Sequence, residues 1–284
     1  MSERVVLAID QGTTNTKAVL VNEAGDIAVR ASRPLTPAYP QPAWVEQDAD
    51  EIWRSVCECV DEVLEARPAA ELVGIGISNQ RESVVGWERA TGRPIGPVVI
   101  WQCRRTAPLC DELRKKGHEA LLHQRTGLTV DPLFSATKMR WLLDQLAHGQ
   151  ERSEAGEICF GNTDAWVAWN LTGGRAHVTD SSNASRTQLL ALEPTAWDDE
   201  LLGVFGVPRA ALPEVAPSSG VRGHTVALGR LPAGVPIASQ IGDSHAALYG
   251  QAGLHPGSIK ATYGTGSSLM TPTPGLVHSR RGLS

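Results

Sequence analysis

Two rhythms of apolar residues run along this chain. Val5-Val6-Leu7-Ala8-Ile9 is a short apolar run, mostly β-branched, that stops at Asp10 and Gly12, as a buried strand does. Ala18-Val19-Leu20-Val21, the polar stretch 22–26 and Ile27-Ala28-Val29 follow. That spacing predicts strand, turn and strand where a dinucleotide-binding unit would place a helix. The rhythm then changes, with Ile52, Val56, Val60 and Val63 on one helical face behind Asp48 or Asp50, either of which can cap it. Residues 72–77 read as the next buried strand, which delivers Asn79-Gln80-Arg81-Glu82 at its end. Further helices are expected over 105–116, over 135–146 with Met139, Leu142 and Leu143 inward, over 164–171 with Trp166 and Trp169 one turn apart, and over 197–205. The Pro-containing stretch 33–42 reads as a surface connection. The mixture implies an α/β fold, in which sites gather at strand ends.

Composition permits a globular chain with ample core: 284 residues, 42% hydrophobic and 20% charged. A net charge of -5 leaves no electrostatic footprint for nucleic acid or an anionic membrane. No apolar run approaches the ~18 residues needed to span a bilayer, and no secretory core follows Met1. The five cysteines, Cys57, Cys59, Cys103, Cys110 and Cys159, form no paired knuckle, so reduced thiols in a cytoplasmic protein are expected and zinc is not implied.

Two acidic glycine turns carry the candidate chemistry. In the first, Asp10-Gln11-Gly12-Thr13-Thr14-Asn15-Thr16-Lys17, a carboxylate at a strand end suits Mg²⁺, held directly or through water. Gly12 allows a tight turn; Thr13, Thr14 and Asn15 offer donors to phosphate oxygens, with Lys17 as a nearby cation. Neither the Walker spacing nor the dinucleotide fingerprint is present. The second turn is Ile241-Gly242-Asp243-Ser244-His245, an apolar segment ending in glycine ahead of a helix. Asp243 there is either an acid-base group or a helix cap, and His245 reads as a surface residue or a partner to a backbone carbonyl rather than a base. Arg81 donates and Glu82 accepts hydrogen bonds, a combination suited to vicinal hydroxyls.

Over nearly its whole length the chain resembles the N-terminal domain of the FGGY carbohydrate kinases, and within them the glycerol kinases. The resemblance rests on residues 10–14, 78–82, 100–106 (Ile-Trp-Gln-Cys-Arg-Arg-Thr), 126–128, Asp131-Pro132, 183–187 (Asn-Ala-Ser-Arg-Thr), 212–215, Gly242-Asp243 and 262–266 (Thr-Tyr-Gly-Thr-Gly), in that order. It implies a ribonuclease H-like domain of the actin and hexokinase type, a mixed sheet flanked by helices. Residues 1–252 would then form an acceptor-binding domain, and 253–284 would open a nucleotide-binding domain that is mostly missing.

The activity implied is ATP- and Mg²⁺-dependent phosphorylation of a small polyol or sugar. Asp243 is then the catalytic base and Asp10 the metal residue. Gly12, Thr13, Thr14, Asn15, Lys17, Thr265 and Gly266 would hold the nucleotide phosphates. Arg81, Glu82, Trp101 (an aromatic wall), Leu133, Ser244 and Ser268 would hold the acceptor. Glycerol kinases self-associate, so a homo-oligomer is the family expectation. Leu133, Ser244 and Ser268 depart from the glycerol kinase pattern, which has tyrosine, glutamine and phenylalanine at the matching positions; the smaller Ser244 and Ser268 suggest a larger acceptor such as erythritol or xylulose. The rival readings are a short non-catalytic polyol-binding protein and an actin- or chaperone-like ATPase, although the latter lacks the 79–82 and 101–105 segments.

Overall fold

The computed structural model describes residues 3–263, 267–279 and 283. A five-stranded sheet organises them. Its strands are β1 (Arg4–Gln11), β2 (Asn15–Asn22), β3 (Ile27–Pro34), then, after helix α1 (Ala49–Glu65), β4 (Glu71–Asn79). Helices α2 (Ser135–Asp144), α3 (Thr163–Leu171) and the single turn α4 (Ser181–Ala184) precede the last strand, β5 (Ile237–Gly242), which runs directly into α5 (Asp243–Gly250). The spatial order is β5-β4-β1-β2-β3. β1, β4 and β5 are mutually parallel, while β1, β2 and β3 form an antiparallel meander. This is the mixed sheet expected of a ribonuclease H-like domain.

Alternation explains the meander. Val5, Leu7 and Ile9 of β1 and Ala18 and Leu20 of β2 are buried on one face, where α1 covers them with Val56, Cys59, Val60 and Val63. Asp48 caps α1, its Oδ1 accepting from the backbone N–H groups of Asp50 and Glu51 at 2.7 and 3.0 Å. A second cluster includes side chains of the antiparallel pair Val85–Glu88 with Ile158–Gly161 and the apolar side of α2. Trp87 at its centre packs against Trp166 and Trp169, ring centroids 5.3 and 5.7 Å apart, so the two tryptophans predicted on one helix face close this core.

Several helix ends differ from the sequence reading, α2 stopping at Asp144 rather than at 146. The helix expected over 197–205 begins at Asp199, because Trp197 pairs with Leu190 in a two-residue ladder and Asp198 caps the helix. The helix expected over 105–116 spans Ala107–Lys115, with Pro108 in its first turn.

One buried acid makes this architecture sensitive to pH. Asp164 on α3 is fully buried; its Oδ2 accepts from Thr179 Oγ1 (2.7 Å) and from Gln240 Nε2 of β5 (3.2 Å), while Oδ1 has no partner. Burial, reinforced by the negative charge of Asp180, pushes its carboxyl from 3.8 up to about 7. Between these values the folded chain holds a proton that the unfolded chain has released, so this contribution to stability is complete below the lower value and is lost as pH rises toward 7. Urea unfolding of Asp164→Asn is expected to show a flatter pH slope across this window and, above it, a gain of roughly 1–3 kcal/mol over the unsubstituted chain. An unchanged slope would remove Asp164 from the account.

Candidate active site

The parallel pairing of β1, β4 and β5 brings three carboxyl-terminal strand ends to one edge. Asp10 stands opposite Ser78, and Ser78 opposite Ile241; one residue on, Gln11, Asn79 and Gly242 align in the same way. The two acidic turns, far apart in sequence, therefore flank the strand that carries Gln80, Arg81 and Glu82.

Arg81 and Glu82 do not act as a facing pair. The Arg81 guanidinium turns toward α5, with Nε 3.3 Å from Asp243 Oδ1 and Nη2 3.3 Å from Ser244 Oγ. Glu82 turns the other way and is buried, its Oε1 accepting from Arg186 Nε at 2.7 Å. The backbone of Glu82 is left-handed, φ 64°, a conformation that costs a non-glycine residue energy and persists only where the surroundings fix it. Gly242 permits this layout: a Cβ there would lie 2.6 Å from Arg81 Cδ, so only glycine lets the Arg81 stem cross the end of β5.

Asp243 is the first residue of α5, behind Gly242 as cap residue, and its Oδ1 accepts from the Ser244 backbone N–H at 2.6 Å. Although 48% of its side-chain surface is exposed, packed neighbours desolvate the carboxyl and push its pKa upward, while the Arg81 charge pulls the other way. His245 points back into the same cluster. Burial first, and the Arg81 charge second, drive its pKa down to about 4, so it is neutral at pH 7.

The first turn is closed on itself. Gly12 N–H donates to Asn15 O at 3.0 Å, and Asn15 Nδ2 donates to Thr14 Oγ1 at 3.0 Å. Thr13 is pinned from three sides: Trp101 Nε1 donates to its Oγ1 (2.9 Å), that hydroxyl lies 3.4 Å from Gln80 Oε1, and Gln47 Nε2 donates to its carbonyl (2.7 Å). Trp101 is thereby fixed to the turn, and the Thr13 hydroxyl is engaged within the protein. Thr14 and Lys17 are exposed, Lys17 Nζ lying 3.3 Å from Asp10 Oδ2. Asp10 Oδ1 accepts from Ser78 Oγ at 3.3 Å. Leu133 is half-buried on the turn before α2, its N–H donating to Asp131 Oδ1 at 2.8 Å. Ser268 lies opposite Thr262 in the hairpin of Lys260–Thr262 with Ser268–Met270; Thr265 and Gly266 fall outside the described residues.

Among the described residues no three His, Cys, Asp or Glu side chains form a metal cage. That donor set fits Mg²⁺ better than a metal fully enclosed by protein, because Mg²⁺ keeps several waters and takes only one or two carboxylates beside substrate phosphates. Asp10, half-exposed at a strand end and close enough to Asp243 to raise its pKa, meets that requirement.

Sequence reasoning assigned no role to Arg186, which holds Glu82, or to the amides of Gln47 and Gln80, which hold the first turn. Arg186 lay within the Asn183–Thr187 segment, but nothing local revealed that it reaches across 104 positions to Glu82.

This arrangement has close counterparts. Residues 5–250 match the FGGY family of carbohydrate kinases, N-terminal domain. A glycerol kinase of Desulfitobacterium hafniense is 49% identical over 99% of this chain and 58% of its own length. An apulose kinase of Pectobacterium atrosepticum is 51% identical over 94% of this chain and 54% of its own length. The crystal structure of Plasmodium falciparum glycerol kinase with ADP superposes with a TM-score of 0.91 at 31% identity, covering 94% of this chain and 54% of that one. The chain thus spans little more than half the length of these relatives, and it belongs to the FGGY family of carbohydrate kinases, whose N-terminal domain it matches.

Proposed function

We propose that this chain supplies the acceptor side of an ATP-dependent kinase that phosphorylates a hydroxyl of a small polyol or sugar. The observation that carries the reading is the placement of Asp243, partly desolvated and beside the Arg81 guanidinium, across one strand from Asp10 and its phosphate-type turn. Residues 1–252 form the acceptor-binding domain, and 253–284 open a second domain. The concentration of exposed apolar side chains at Tyr249, Leu254, Ile259, Tyr263, Leu269 and Val277 supports this division, since such side chains mark surface that another element covers.

The acceptor oxygen attacks the γ-phosphorus of ATP as its proton passes to an Asp243 carboxylate oxygen, and the bond from γ-phosphorus to the ADP oxygen breaks. Arg81, paired with Asp243, donates to an acceptor hydroxyl beside it. Glu82, itself fixed by Arg186, accepts from an acceptor hydroxyl; Trp101 offers its ring face to the carbon chain. Thr14, Asn15 and Lys17 attract phosphate, as would Thr265 and Gly266, while Gly12 shapes the turn that presents them. Mg²⁺, held by Asp10 together with water, would neutralise charge on the phosphates. Reduced cysteines and Mg²⁺-ATP chemistry suit a cytoplasmic setting.

The acceptor is larger than glycerol in this reading. Leu133 lacks a hydroxyl, and the small side chains of Ser244 and Ser268 leave room for a longer chain; the similarity to an apulose kinase points the same way.

Acceptor-dependent ADP release, measured with glycerol, erythritol, xylulose and apulose, tests the reading. Transfer is expected when the chain is extended by the length its relatives carry beyond it, with a ketose preferred; clear preference for glycerol would sink the acceptor proposal, and no transfer to any acceptor would sink the kinase. Asp243→Ala is expected to lower kcat about 10²–10⁴-fold with little change in acceptor affinity, whereas Arg81→Ala should mainly weaken acceptor binding. The opposite pattern would reverse the two roles. Gly242→Ala should displace the Arg81 stem and raise the acceptor KM about tenfold, as overpacking of roughly 1–3 kcal/mol allows; an unchanged KM would show that Arg81 tolerates the shift.

A further inference from the structure

Lys138, on α2, has no exposed surface. Its Nζ meets two main-chain carbonyls, Glu82 O at 2.9 Å and Leu133 O at 2.5 Å. One turn earlier on the same helix, Ser135 Oγ donates to the Glu82 carbonyl at 3.2 Å. Both carbonyls belong to residues assigned above to the acceptor pocket, and one of them follows the left-handed φ of Glu82.

Burying an ammonium group is expensive, and a methionine or leucine would fill the same space without that cost. The burial that drives Lys138 down to about 7 still leaves two N–H groups on the neutral amine, enough for both carbonyls. The bridge therefore survives loss of the proton. Hydrogen bonding to two specific oxygens accounts for a lysine here, where volume alone does not.

We propose that Lys138 is a positioning residue for the acceptor pocket: by donating to Glu82 O and Leu133 O together, it fixes the spacing between the strand-end loop that presents Arg81 and Glu82 and the separate loop that presents Leu133. Ser135 supports the first of these contacts. The proposal rests on the acceptor reading of the site, and it assigns the pocket's dimension to a side chain that never touches the ligand. Substituting it changes how well an acceptor fits while leaving every contacting side chain in place.

The test compares the 284-residue chain with Lys138→Met, and with the milder Ser135→Ala in case the first variant folds poorly. Amide hydrogen exchange reads the two loops directly, because Gln80 N–H is bonded to Gln11 O, and Leu133 and Phe134 N–H to Asp131. Lys138→Met is expected to speed exchange at least tenfold in both segments, 80–83 and 131–134, with α1 and β4 unchanged; Ser135→Ala should loosen only the first. In parallel, calorimetry with glycerol, erythritol and xylulose should show acceptor affinity falling at least tenfold in Lys138→Met. Unchanged exchange in the two loops, or a uniform rise across the chain, overturns the clamp. Loosened loops with unchanged affinity overturn the positioning role. If the unsubstituted chain binds no acceptor, the acceptor reading fails and the positioning role fails with it, while the exchange data still decide whether the bridge holds the loops.

Discussion

Asn79 and Asn183 form the joint on which the rest of the site depends. Each donates an amide N–H to the other's carbonyl oxygen at 2.9 Å, and both are fully buried. Asn79 is the last residue of β4 and Asn183 lies on α4, so this reciprocal pair locks a strand end to a helical turn 104 residues away. Asp180 reinforces it, capping α4 and accepting from Asn183 Nδ2 at 2.8 Å. Removing either amide would leave its buried partner unsatisfied, at about 1–3 kcal/mol. Two consequences run outward from the joint. Ser182 Oγ reaches the Gly242 N–H at 2.8 Å and fixes the end of β5, and Arg186, just past α4, lands on Glu82.

The charged groups of the site are thereby sorted by burial. Arg186 and Glu82 are largely enclosed, and the Arg186 guanidinium compensates the Glu82 carboxylate through Oε1. Arg81 lies between enclosed and open, its stem passing over Gly242 and its head on Asp243. A further guanidinium, Arg105, performs a purely structural version of the same task. It is stacked between Trp44 and Trp141, 4.1 and 4.5 Å from their ring centroids, and bonded to Glu46. That contact holds the two-residue strand Glu46–Gln47, and the Gln47 amide in turn holds Thr13. The first turn is shaped from behind by a relay of planar groups, each with well-defined partners.

How much of this the sequence revealed follows from range. The meander and α1 were legible because alternation and helical spacing are local properties, and Asp48 could be read as a cap from its position alone. The helix Glu119–Thr126 escaped because its apolar residues follow no clear face. The start of the helix Asp199–Phe205 was misplaced because Trp197 is captured by Leu190, a tertiary contact that overrides the local pattern. In the site, residue types singled out the turns around Asp10 and Asp243 and the Arg81-Glu82 pair, and the resemblance to a family supplied their roles, but neither gave their arrangement. Arg81 and Glu82 are adjacent in sequence and diverge in space, since the left-handed backbone at Glu82 turns the chain between them. No spacing rule predicts that turn at a glutamate, because the features that stabilise it, Lys138, Ser135 and Arg186, lie 53 to 104 positions away.

The side of the site facing away from this scaffold is built on the opposite principle. Asp243, Asp10 and Lys17 have 48%, 39% and 54% of their side-chain surface exposed, whereas the groups behind them are almost dry. In water, charges of this kind are screened and gain little from one another. Phosphoryl transfer relies on the same charges acting where solvent is excluded. On the proposed function, a rigid floor with an open roof would select an acceptor and orient its hydroxyl while lacking the low-dielectric surroundings in which Asp243 and the groups of the first turn reach full effect. On that reading, closure would come from protein laid over this edge of the sheet; Tyr249, Leu254, Ile259, Tyr263, Leu269 and Val277 are exposed in the chain that follows β5. If the site works as proposed, acceptor recognition and catalytic power are separable: the first would be set by buried contacts already in place, the second by how completely another layer covers them.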